Sequence, residues 1–170
     1  MDGLTWAADN DGFTGVDYGA YDRMLDRIAG APGRCVFVTV PDVVADAEAT
    51  AREWVRWSSA PRRRGLPIAF VAQDGCERGL VPMAYEFDAL FIGGSTEWKL
   101  GPECERLVGA CRRAGKWIHM GRVNSAARIR YAASIGCDSV DGTQWVRWRD
   151  TYLDWGLGLV AEPAQSRLAL

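Results

Sequence analysis

Apolar residues along this chain fall into short runs that recur roughly every 20–30 residues, with polar and Gly- or Pro-containing stretches between them. Six of these runs predict strands: Leu4–Ala8, Cys35–Val40, Ile68–Ala72, Ala89–Ile92, Lys116–Met120 and Cys137–Val140. The second, rich in Val and Phe, is the clearest buried strand. Helical spacing marks Tyr18–Ala29 through Tyr21, Met24, Leu25 and Ile28. It also marks Asp46–Ser58 through Ala49, Trp54, Val55 and Trp57, and Glu103–Ala114 through Leu107, Val108 and Ala110. A last helix is predicted over Ala126–Ser134, with Asn124 or Ser125 as N-cap and Gly136 just past its end. Cys76–Glu86 is too short and too broken by Pro82 for a long helix. Thr143–Trp155 is aromatic and reads as helical, and 157–170 reads as a mobile tail after one domain over 1–156.

Strands joined by helices or long crossovers must pair in parallel, which predicts an α/β protein. The regular beat fits repeated βα units, arranged either as a barrel or as an open doubly wound sheet.

With 170 residues, 48% hydrophobic and 25% charged, the composition is that of one globular domain with a real core. A net charge of −2 means that any nucleic-acid contact must come from a local patch. The basic run Arg62-Arg63-Arg64, flanked by Pro61 and Gly65, is such a candidate, as well as an ordinary solvated loop. The five cysteines form no CxxC pair and there is one histidine, so reduced thiols and no metal or other cofactor are expected. No run approaches the roughly 20 apolar residues of a membrane span, and no signal peptide is legible. His119 is expected as a hydrogen-bonded core histidine rather than a general base.

The chemistry sits at the residues just past each strand: Asp9, Asp42, Gln73, Gly93-Gly94, Met120-Gly121 and Asp141. Parallel strands bring these to one face. One carboxylate there can grip a planar donor pair, one can attack an anomeric carbon, and one can move a proton. Gln73 can meet a base carbonyl or ring nitrogen, the Gly94 amide a carbonyl oxygen, and Met120 the flat face of a heterocycle. Solvated loop acids and a core methionine are the plainer reading of the same residues.

These motifs, in this order, resemble the tRNA-guanine transglycosylase superfamily, and more closely its small phage and bacterial DpdA-like relatives that insert 7-deazaguanines into DNA. Ala8-Asp9-Asn10-Asp11-Gly12-Phe13 resembles the family's Ser-Asp-Ser-Gly-Gly-Phe, which implies Asp9 as acid/base and base contact. Val40-Pro41-Asp42 stands where the family grips the guanine edge. Phe70-Val71-Ala72-Gln73-Asp74-Gly75 resembles a segment containing Val-Gln-Gly-Gly, and Phe87–Gly94 resembles Phe-Asp-Gly-Tyr-Ala-Ile-Gly-Gly; they imply Gln73 and the Gly93-Gly94 backbone as base contacts. His119-Met120-Gly121 resembles Leu-Met-Gly and implies Met120 stacked on the base beside Gly121. Gly136-Cys137-Asp138-Ser139-Val140-Asp141 resembles Gly-Val-Asp-Met-Phe-Asp, which implies Asp141 as the covalent nucleophile.

The resemblance covers about Ala8 to Thr143. It implies a TIM-like (β/α) barrel, reduced to about six recognisable strands, and metal-free exchange of guanine for a 7-deazaguanine of the queuine or preQ0 type. It places the protein in the cytoplasm of a bacterial or phage-infected cell. The family's zinc subdomain has no counterpart in the sequence, which makes DNA a better expected polymer than tRNA. Lys99 occupies the position of a family Glu that tunes the accepted base; with Arg62, Arg63, Arg64 and Arg122 it is a candidate nucleic-acid contact. Six strands also leave room for a second copy or a partner subunit to close the barrel. The rival readings are a nucleosidase or base-exchange enzyme for free nucleosides, and a non-catalytic 7-deazapurine-binding or accessory subunit.

Overall fold

The computed structural model describes residues 5–31 and 33–143. The aromatic stretch after Thr143 and the tail expected from 157 onward lie outside the described residues. Six strands, β1 (Thr5–Ala8), β2 (Arg34–Thr39), β3 (Ile68–Ala72), β4 (Ala89–Ile92), β5 (Trp117–Met120) and β6 (Ser139–Val140), form one sheet. All pairs are parallel and the spatial order is the chain order. An open doubly wound sheet reverses its strand order at a switch point. This sheet never does, which leaves the barrel-like alternative.

The sheet is curled into half of a barrel. Neighbouring strands lie about 4.8 Å apart, so β2 and β5, three places apart, would be roughly 14 Å from each other in a flat sheet. Yet the rings of Phe37 on β2 and His119 on β5 have centroids 5.3 Å apart.

The helices are α1 (Tyr18–Ile28), α2 (Ala47–Trp57), α3 (Ser59–Arg62), α4 (Thr96–Lys99), α5 (Pro102–Arg113) and α6 (Ala126–Ile135). Their starts obey local chemistry. Asp17 and Asp46 accept from Ala20 N and Ala49 N at 2.9 Å, Pro102 opens α5, and Ser125 caps α6. Gly136, at φ 93°, ends α6 in the left-handed conformation that glycine allows.

Side chains alternate across each strand. Ile68, Phe70, Leu90, Ile92, Ile118 and Met120 face outward into the core shared with α2, α5 and α6, together with Val108 and Ile129. Phe37, Ala69, Ala89, Phe91 and Trp117 form a smaller cluster on the other side. The end of the sheet where strands begin is tied by two acids that each precede a strand. Asp88 accepts from Ile68 N and Asp138 from Ile118 N, both at 2.8 Å. Asp138 is thus part of the far end of the fold.

The basic run is a loop only in part: Arg63, Arg64 and Gly65 form a turn, while Pro61 and Arg62 are helical. Arg62 closes α3, because Pro61 is tolerated in the first turn of a helix. The segment joins the end of α2 to the start of β3, so it lies at the end of the sheet away from Asp9, Asp42 and Asp141. Its charges have partners: Arg62 with Asp88 and Glu86 O, Arg63 with Ser59 Oγ, and Arg64 with Asp22 and Asp26. All five cysteines are free thiols. No helix among the described residues is long and apolar enough to cross a membrane.

Candidate functional site

The loops after β1, β2, β3, β4 and β5 and the end of β6 surround a cavity of about 320 Å³. That is the lower end of the roughly 300–1,000 Å³ of small-molecule sites. Asp9, Asp42, Gln73, Gly93, Arg122 and Asp141 all line it. Residues from the two ends of the described chain therefore share one cavity, because successive parallel strands deliver their ends to the same side.

Asp42 is held by two carboxamides. Asn10 Nδ2 donates to its Oδ1 at 2.9 Å and Gln73 Nε2 to its Oδ2 at 2.6 Å. Burial pushes its carboxyl above the ordinary value, the Asn10 bond opposes this, and the Asp9 charge adds to it. Asp9 Oδ1 accepts from Thr39 Oγ1 at 2.9 Å and from Asn10 N at 2.8 Å. The turn is closed by Gly12 N donating to Asn10 Oδ1 at 2.7 Å. Asn10, 7% exposed, thus ties two of the three acids together, and sequence reasoning passed it over. Its position between Asp9 and Asp11 was visible, but its role depends on the β1–β2 pairing.

Asp141 has the opposite environment. Its Oδ1 accepts from Arg122 N at 2.8 Å and its Oδ2 lies 3.0 Å from His119 Nε2. Burial pushes this carboxyl up, but the His119 and Arg122 hydrogen bonds, helped by the Lys99 charge, outweigh it and hold it below the ordinary value. Two acids on one cavity thus have their proton affinities pushed apart, the pattern that separates a grip or proton carrier from a standing anion. His119 is buried and hydrogen-bonded, as expected for a core histidine, but its partner is the principal candidate nucleophile.

Several residues serve differently from the expectation. Gln73 is 1% exposed, and both ends of its carboxamide are engaged, Nε2 with Asp42 and Oε1 with Ala45 N. It positions Asp42, and it also lines the cavity. The Gly93 and Gly94 amides both donate to Ala72 O, so neither is aimed at a bound base. Gly93 lines the cavity, and a Cβ there would come within 2.6 Å of Gln73 Nε2. Met120 is 2% exposed in the outer core, not on the cavity wall, because His119 faces inward and its neighbour must face out. The apolar walls are Phe13, Val44, Val71 and Phe91 instead.

Lys99 is also internal: 5% exposed, it donates from Nζ to Gly121 O at 2.8 Å. Burial, then the neighbouring Arg122 charge, lower it to about 8. It braces the Gly121-Arg122 loop and offers no surface to phosphate. Arg122 does border the cavity. Its backbone is left-handed at φ 60°, an uncommon conformation for a non-glycine residue. Its guanidinium holds the Gly93 and Gly94 carbonyls and sits 5.6 Å over the Phe13 ring.

Gly121 itself is required by packing, since a Cβ would lie 2.7 Å from the Phe91 ring. Gly121→Ala is expected to destabilise the fold by about 1–3 kcal/mol, read as a lower urea midpoint at unchanged slope. An unshifted midpoint would show that Phe91 moves aside freely.

Among the described residues, no group of three or more His, Cys, Asp or Glu is placed to hold a metal ion. Comparison with protein-family models and with curated proteins finds no match to this chain.

Proposed function

We propose that this protein is a base-exchange glycosyltransferase, replacing guanine in nucleic acid, DNA rather than tRNA, by a 7-deazaguanine through a covalent aspartyl intermediate. The half-barrel would then be a reduced TIM-like barrel with its site at the C-terminal strand ends. The observation that carries the reading is the pairing, on one purine-sized cavity, of a low-affinity carboxylate, Asp141, with a raised one, Asp42.

In this scheme Asp42 grips the N–H edge of an unstacked guanine between Phe13 and Val71. Asp141 attacks C1′, the C1′–N9 bond breaks, and its electron pair leaves with guanine, which takes a proton from Asp9. The incoming base returns a proton from N9 to Asp9 and attacks C1′. The C1′–oxygen bond then breaks and its electron pair returns to Asp141.

The test is mass spectrometry of nucleosides from DNA and tRNA incubated with the protein and 7-deazaguanine bases. Incorporation into DNA is expected; its absence from both polymers would reject the scheme.

A second reading, base exchange on free nucleosides, is favoured by one observation. The basic run lies at the far end of the sheet, and its three arginines are engaged within the protein. Base release from guanosine with no polymer present would select it.

A further inference from the structure

The inward face of β5 and β6 carries three polar groups that the exchange scheme leaves unused. Trp117 Nε1 donates to Ser139 Oγ at 2.8 Å. An indole nitrogen can only donate, so the Ser139 hydroxyl accepts here and keeps its own proton for another partner. His119 Nδ1, also 2.8 Å from Ser139 Oγ, is placed to receive it. With Nδ1 accepting, the proton of the neutral ring must be on Nε2, which faces Asp141 Oδ2 at 3.0 Å.

We propose that Trp117, Ser139 and His119 form a one-way donor chain that fixes His119 with its proton on Nε2 and aims it at the Asp141 carboxylate.

The frame around the chain is rigid. The β5–β6 register sets His119 directly beside Ser139. Phe91 lies against the imidazole at 4.7 Å and Phe37 meets its edge at 5.3 Å, which fixes the ring plane. The other groups acting on Asp141 are the Arg122 backbone N–H, from the same loop, and the Lys99 charge from α4. Neither is hydrogen-bonded to Trp117, Ser139 or His119, so the indole N–H, by occupying one lone pair of the Ser139 oxygen, is the group that biases the hydroxyl proton toward Nδ1. His119 acts through Asp141 and is a positioning residue.

The consequence for chemistry rests on the transglycosylase reading. An ester oxygen accepts a hydrogen bond less strongly than a carboxylate oxygen. The His119 N–H therefore favours the step in which the C1′–oxygen bond breaks and the electron pair returns to Asp141. His119 would speed breakdown of the covalent intermediate more than its formation.

Because the chain contains a single histidine, its imidazole nitrogens can be read without ambiguity by long-range ¹H–¹⁵N correlation NMR. The unsubstituted protein should show one tautomer, with Nε2 protonated. Asp141→Asn should keep it, since the donor chain persists without the anion. Adding Trp117→Phe to Asp141→Asn should give a mixture, because the hydroxyl is then free to turn. A protonated Nδ1, or a mixture in Asp141→Asn alone, overturns the chain.

His119→Phe preserves a ring between Phe91 and Phe37 but donates nothing. It should slow breakdown of the covalent adduct roughly tenfold or more while adduct formation changes little. Equal slowing of both steps overturns the positioning role. If the unsubstituted protein forms no adduct at all, the exchange reading fails, while the tautomer result still decides the donor chain without any substrate.

Discussion

Asp141→Ala should abolish base exchange and covalent capture together. Exchange of labelled guanine is expected to fall by at least about 10⁴-fold, the scale on which losing a nucleophile acts. Intact-protein mass spectrometry should detect a nucleic-acid adduct with the unsubstituted protein and none with the variant. The expectation rests on the carboxylate's setting. It borders the cavity, it is the acid held toward the anionic form, and each of its oxygens is oriented by a neighbouring hydrogen-bonding group. Truncation should cost the fold little, because the side chain is half exposed. A variant that folds normally and still forms the adduct would transfer the role to Asp9 or Asp42.

Alkali should unfold this protein steeply, and the thiols decide the sign. Burial pushes Cys76 and Cys104 up to about 12 and Cys111 up to about 11. In the unfolded chain a thiol ionises near ~8.5. Above that pH the unfolded state holds fewer protons than the native state, so stability falls as pH rises and continues to fall until the native thiols ionise.

Lys99 works the other way. Its native value of about 8 lies below the ~10.4 of an unfolded lysine, so between these limits it adds stability as pH rises. These three thiols against one ammonium leave a net loss of about 2.5 kcal/mol per pH unit near pH ~9.5, and Cys35 and Cys137, also pushed up by burial, add to it. Urea unfolding at a series of pH values under reducing conditions measures this directly. Lys99→Met should steepen the loss, because the opposing contribution is gone. A stability that is flat or rising through this range would mean the thiols are not buried in solution.

Much of the fold could be read from the residue pattern because strands and helices depend on local periodicity. Ile68–Ala72 and Ala89–Ile92 have the predicted bounds, and the four longer helices differ by about one residue at their ends, whereas the one-turn α3 and α4 were not predicted. The choice between barrel and doubly wound sheet was not legible, because strand order is a property of long-range pairing. The site was legible as far as which acids meet, since following each strand to its end required only parallel pairing. The job of each residue there was harder to see. Met120 was placed by motif although β5 alternates, and the inward position belongs to His119. Gln73 and Lys99 looked available for ligands because their partners, Asp42 with Ala45 and Gly121, come from other parts of the chain. The arginine run looked like a phosphate contact because the acids that engage it lie on α1 and ahead of β4.

The sequential strand order also bears on synthesis. Strands can join one by one as they leave the ribosome, each pairing with the one made just before it. The wall of the cavity, however, starts at Asp9 and is completed only by Asp141. A nascent chain stopped before β6 would already have most of its framework, yet it would carry an open acidic hollow without Asp141, the proposed nucleophile. Activity should therefore appear abruptly, once β6 has emerged, rather than grow with chain length.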